Sequence, residues 1–334
     1  MRPSTVQVDG DELLVGGSTG DDAARSPALV RRSTAEPASV WRTVPLTPAT
    51  PYGERAALVS VTGDGGSIVA LGMAHGGAHA NFRWTIWTGT SAGVVDRPQT
   101  FETFGGQEAG GLLAVAHDDR GPLIVGTWQG AHGLDGAIWR TQSERWVRQP
   151  TPASLVSTVD RQTAPRTAAT QADGSVAISG SVIDLADGVR QSAAVWRGSG
   201  VDWRLSLPAD PGKRSEAWST VCEGSGPPGC WSVGSREGAV AVWSDDGRSS
   251  LPELRVGDDD AGVIARHGDR VVAAISTHGQ GRLLVGHDGA WRLYTGPDGV
   301  VRAAALVGSR LYLISEREDS AVLSTRDLGD LLVG

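Results

Sequence analysis

The sequence predicts an all-β fold, a β-propeller of seven blades with four antiparallel strands each, and three observations predict it. An apolar run closed by glycine recurs as Ser67–Gly72, Pro122–Gly126, Ser175–Gly180 and Cys230–Gly234, with Gly72, Gly126, Gly180 and Gly234 each 54 residues apart. A second run follows it and ends in tryptophan, as Ala-Ile-Trp139, Ala-Val-Trp196 and Ala-Val-Trp243, with Thr-Ile-Trp87 close to it. Turn-forming residues separate the runs, in keeping with 46 glycines and 17 prolines among 334 residues. A repeat of this length holding four short strands matches a propeller blade. One such sheet cannot hide both faces, but sheets stacked radially can.

Each repeat reads as four strands, A to D. Strand A is an apolar or small-residue run such as Ala56–Val61, Gly111–Val115, Arg166–Thr170 or Val300–Leu306. Strand B carries the glycine, expected where adjacent blades approach closely. Strand C ends in the tryptophan, expected to plug the gap between sheets and to bury up to about 250 Å². In two repeats a second tryptophan lies seven residues on, Trp139 to Trp146 and Trp196 to Trp203. A further copy of strand B at Glu12–Gly17 and two looser ones, Arg270–Ser276 and Arg310–Ser315, bring the count to seven. The units fall near residues 3–48, 54–104, 109–151, 164–209, 215–255, 260–296 and 299–334, in a single domain spanning 1–334. The last two are the shortest, so six and eight blades remain open. A final D strand is expected at Leu328–Gly334, and neither end shows a strand-swapped seal. A pair of β-sandwiches, the main rival, is disfavoured by the even spacing.

Twelve tryptophans against three phenylalanines and three tyrosines fit a recurring structural slot for Trp. A net charge of −8 argues against nucleic acid as a partner. No segment reaches the roughly 18 apolar residues of a membrane span. Cys222 and Cys230 flank Glu-Gly-Ser-Gly-Pro-Pro-Gly, a tight reversal that brings two strand ends within disulfide reach. Two free thiols are the alternative, and no second Cys pair or nearby His completes a zinc set. A disulfide implies an oxidising compartment, hence an extracellular or cell-envelope location. Met1–Gly10 is polar and shows no secretory leader, which is reconciled by a start that is trimmed or misplaced.

The glycine-ended strand B, the Ala-Val-Trp strand C, the second tryptophan and the cysteine hairpin before Trp231–Gly234 together resemble the BNR or Asp-box-like propellers common among secreted proteins of high-GC Gram-positive bacteria. The resemblance covers most of the chain and implies a fold rather than an activity. An Asp-box reads Ser-x-Asp-x-Gly-x-Thr-Trp. Ser244–Gly247 is one residue short of it and lacks the closing Trp, which weakens a sialidase inference.

In such a ring the B–C loops and the D-to-A connections share one face, where ligands are expected. Three long polar B–C loops supply the candidates: His75, His79 and Asn81 in blade 2, Trp128 and His132 in blade 3, and Asp187 with Arg190 in blade 4. Trp128, His132 and Asn81 could form a stacking platform for a sugar or another flat ligand. His75, His79 and His132 are the one set with metal-ligand chemistry, and Asp258–Asp260 the one acidic run suited to calcium. A solvated loop is the plainer reading of both, and no cofactor is expected. There is no Gly-x-Ser-x-Gly elbow, Walker loop or His-Glu-x-x-His. Of Tyr52, Tyr294 and Tyr312, Tyr52 is the least implausible nucleophile, and Tyr312 reads as core. The expectation is a monomeric, extracytoplasmic binding or scaffolding propeller that recognises a protein, peptide or glycan on its loop-rich face. The alternative is a carbohydrate-active hydrolase or lyase with two rim carboxylates about 5–10 Å apart.

Overall fold

The computed structural model describes residues 1–21, 24–36, 39–76, 81–186, 188–222, 229–245, 249–250, 253–257, 260–287, 290–318 and 320–332. Their strands form seven sheets in chain order, antiparallel except for one edge pair in blade 2: four-stranded in blades 1, 3, 4, 5 and 6, five-stranded in blade 2 and three-stranded in blade 7. Each strand A touches the next around the ring, and that of blade 7 touches that of blade 1. These seven strands line a central channel of about 410 Å³.

Two details differ from expectation. Leu46–Thr47, expected in blade 1, pairs in parallel with Gly93–Asp96 and becomes the fifth strand of blade 2. The expected last strand does not form over the described residues: Leu328–Leu332 is a helical turn, with Leu328 buried among Val301, Leu306 and Leu311. Among the described residues, blades 7 and 1 meet by side-chain packing. Val6, Leu13 and Val15 of blade 1 meet Ala305, Tyr312 and Ile314 of blade 7, with no strand exchanged between these sheets.

The evenly spaced glycines have a physical cause, though not the expected one. Strand A carries a β-bulge opposite this position in blades 1 to 5 and in blade 7, at Leu58/Ser60, Leu112/Ala114, Pro165/Thr167 and Ala217/Ser219 for the four matched copies. The extra residue pushes the strand A backbone toward strand B. A Cβ on Gly180 would run into the Ala164 carbonyl, and one on Gly234 into the Glu216 carbonyl, with the Trp243 ring at 2.9 Å. The close approach lies inside each sheet, between bulge and indole, and not between neighbouring blades.

The strand C tryptophans do fill the wedges between sheets. Trp87, Trp139 and Trp196 are all but fully buried. The indole N–H of Trp139 donates to the Thr103 carbonyl at 2.9 Å, and that of Trp196 to the Ser154 carbonyl at 2.8 Å. Both acceptors lie in short helical turns, Phe101–Phe104 and Ala153–Leu155, that connect successive blades. Trp146 and Trp203 on strand D complete the same plugs.

Strand A is an edge strand facing the channel, so its inward amides lack ladder partners. Hydroxyls from adjoining blades meet several: Ser60 accepts from Val115 N at 3.1 Å, Thr170 from His117 N at 2.7 Å, and Ser276 from Val301 N at 2.6 Å. This accounts for the serines and threonines along otherwise apolar strands.

Candidate functional site

The loop-rich face is built most fully over blades 2 to 4. The buried carboxylate of Asp96, at the end of blade 2, accepts from Thr50 Oγ1 at 2.7 Å and from Ala49 N at 3.2 Å. Thr50 in turn caps the turn Pro51–Glu54, accepting from Gly53 N at 2.9 Å, with Pro51 at the first helical position. That turn sets Tyr52 against Gly76, where a Cβ would strike the phenol ring. The Arg83 guanidinium lies 6.0 Å from the Tyr52 ring centre and 5.3 Å from that of Phe101, within cation–π reach. Phe82 packs on His75 at 4.9 Å and on Trp84 at 6.0 Å between ring centres.

The next blade continues the surface. Half-buried Trp128 stands edge-on to Trp139 at 6.0 Å, donates from Nε1 to Glu108 at 3.1 Å, and carries the Arg148 guanidinium over its ring at 5.0 Å. Ser157 Oγ donates to the Leu134 carbonyl at 2.7 Å, and Leu185 N to the Asp160 carbonyl at 2.8 Å. These bonds tie the start of strand C in blade 3, the following connection and the B–C loop of blade 4 into one ledge. Phe82, Phe101, Leu134, Val159, Leu185 and Val189 stand exposed along it, with Phe101 55% and Val189 81% accessible.

The expected site residues that the structure describes fall on or beside this ledge. Asn81 is exposed opposite Gly76, His75 is exposed on strand B, His132 sits exposed in the blade 3 turn, and Arg190 is exposed opposite Asp184. The side chains of Asn81, Trp128, His132 and Arg190 form no hydrogen bond or ring contact with one another. His79 and Asp187 lie outside the described residues, as do Asp258 and Asp259. The Asp260 carboxylate accepts from the amides of Gly257 at 2.8 Å and His278 at 3.2 Å. Among the described residues no three His, Cys, Asp or Glu side chains are grouped to hold a metal. Tyr312 is core, as expected. Composition gave little warning of Phe82, Arg83 and Phe101. The signal for the first two was the dense Asn-Phe-Arg-Trp run at 81–84, which opens a strand with aromatic residues at alternate positions.

Carboxylates near the upper mouth are held by arginine. Glu216 accepts from Arg166 at 2.9 Å, and Glu316 from Arg302 at 2.7 Å. At the opposite mouth, Asp9 of blade 1 lies against Gly63 of blade 2. Burial, followed by the charge of Asp64, pushes its carboxyl above the usual value, against the pull of the Gly65 and Gly66 amides. Buried His117 approaches Thr62 Oγ1 at 3.2 Å through Nδ1, and loss of water holds its imidazole below the ordinary value. Cys222 and Cys230 form a disulfide across the A–B hairpin of blade 5.

No family model and no curated protein matches the chain. Solved structures do. The propeller domain of the Trilobed protease from Pyrococcus furiosus, described as having an open velcro topology, aligns with a TM-score of 0.54 at 9% identity over 98% of this chain and 97% of that one. The likeness is one of fold. The acylaminoacyl peptidase of Pyrococcus horikoshii gives 0.53 at 11% identity over 98% of this chain, which spans only 51% of the peptidase. The WD40 propeller domain of Doa1 gives 0.50 at 10% identity over 97% and 92% of the two chains. Peptidase-linked and WD40 propellers thus share this architecture, and binding or hydrolysis both occur on such a frame.

Proposed function

We propose that this propeller is a non-enzymatic binding module that takes a protein or peptide segment on the upper ledge of blades 2 to 4. The observation that carries the reading is the run of exposed apolar side chains from Phe82 to Val189 on rigid, hydrogen-bonded supports. Large exposed apolar side chains gathered on one face in this way mark interaction sites. Phe101, Tyr52 and Trp128, each beside an arginine, supply the aromatic and guanidinium chemistry that dominates protein interfaces. A glycan would find Trp128 as its stacking ring, but the larger part of the ledge is aliphatic, which favours a peptide. The Cys222–Cys230 bridge supports an oxidising, extracytoplasmic setting.

The test is selection of displayed peptides on the intact protein. Selected peptides should be rich in apolar residues and should bind the Phe82→Ser/Phe101→Ser variant at least about tenfold more weakly, while Val201→Ser on the opposite face changes nothing. Peptides that bind the double variant as well as the native chain would remove the ledge as the site.

A hydrolytic reading has one observation in its favour. A carboxyl raised by burial beside a second acid, as at Asp9 and Asp64, is how a general acid is made. That pair lies at the far mouth, away from the ledge. Turnover of any member of a nitrophenyl glycoside panel, abolished by Asp9→Asn, would establish it over the binding reading.

A further inference from the structure

Among the described residues, the wedge between blades 4 and 5 lacks the plug found between blades 2 and 3 and between blades 3 and 4. Between blades 2 and 3 the space is filled by Phe104, Trp139 and Trp146, and between blades 3 and 4 by Leu155, Trp196 and Trp203. Blade 5 keeps the strand C tryptophan, Trp243, but its fourth strand, Ser249–Ser250, carries no tryptophan. The connection from blade 4 reads Leu207-Pro208-Ala209 and forms no helical turn beneath the indole. Among the described residues, what packs against Trp243 is small: Ala193, Ala217 and Ala241, with partly buried Val195 beside them. A cavity of about 830 Å³ results, open on the flank of the ring. Protein interiors do not leave such space by default, and this volume falls within the range of small-molecule sites.

Its lining is chemically uneven. Ala193, Val195, Leu207, Pro208 and Trp243 supply apolar walls. The charged groups are spent on protein partners, with one exception. Asp173 holds Arg197 at 2.5 Å, and Asp245 accepts from Cys230 N at 3.0 Å. Arg204, exposed on strand D of blade 4, has no partner among the described residues, and neither has the indole N–H of Trp243. Two unused donors, one of them cationic, therefore border an apolar slot.

We propose that this wedge binds a small ring-bearing anion, its ring lying where a second tryptophan would sit and its carboxylate or sulfonate facing Arg204. The site is separate from the ledge of blades 2 to 4 and does not depend on that reading. The probe is 8-anilinonaphthalene-1-sulfonate titrated into the native chain, with N-phenyl-1-naphthylamine as its uncharged counterpart. Saturable one-to-one binding of the sulfonate is expected. Arg204→Glu weakens the sulfonate by about tenfold or more and leaves the uncharged probe unchanged. Ser206→Trp, at an exposed position on the cavity wall, abolishes both while the thermal midpoint stays that of the native protein. Phe82→Ser/Phe101→Ser has no effect on either probe. The proposal is overturned if no saturable binding occurs, if Ser206→Trp binds as the native chain does, or if both probes respond equally to Arg204→Glu.

Discussion

Replacing Asp118 by asparagine should cost this protein a large share of its stability, and the structure says why. The carboxylate sits at the foot of blade 3 with its side chain fully buried. It accepts from both terminal nitrogens of Arg140, one at 2.9 Å, from Arg120 N at 3.0 Å, and from Gly200 N of blade 4 at 3.1 Å. Burial alone would raise its pKa, but the Arg140, Gly200 and Arg120 hydrogen bonds outweigh it and hold the carboxyl below the ordinary 3.8. Asparagine keeps the volume and loses the charge. It leaves the guanidinium of Arg140, 12% exposed, without its counter-ion. Breaking one side of such a pair costs about 3–5 kcal/mol. Urea unfolding of Asp118→Asn, Arg140→Met and the double variant measures it. The double variant should lose less than the sum of the singles, with a coupling of about 1–3 kcal/mol. Because the folded pKa is depressed, the contribution is fully present above 3.8 and is lost as pH falls through the lower folded value. An unfolding free energy for Asp118→Asn within about 0.5 kcal/mol of the native value refutes the reasoning.

Asp9→Asn should act in the opposite sense. A carboxyl raised in the folded state penalises folding when ionised, so the variant is more stable than the native chain at pH 7. That advantage shrinks as pH falls from above the folded pKa toward 3.8, which paired thermal melts across that window will show. Reducing the Cys222–Cys230 bridge should lower unfolding free energy by roughly 2–3 kcal/mol, since it closes a short loop. Equal denaturation midpoints with and without reductant would contradict it.

The repeat was legible because each glycine and each strand C tryptophan answers a local steric need. Gly180 and Gly234 sit against a bulge in their own sheet, and Trp139 and Trp196 fill a wedge of fixed size. The rim was only half legible. Trp128 and Asn81 lie on the loop-rich face as the loop positions suggested, but Arg83 over Phe101 joins strand C of one blade to the connection before the next. No sequence period reports such a contact, because the two residues occupy different positions in the repeat.

By itself the sequence determined the repeating blade pattern and the buried tryptophan slot and placed the two cysteines within bridging reach, because these follow from spacing and from residues a few positions apart. Only the tertiary structure decided that the ring closes by packing, that blade 7 ends in a helical turn, and that the wedge between blades 4 and 5 is underfilled. Those outcomes depend on whether side chains from different blades add up to fill a shared space. That sum exists only once the ring has brought them together.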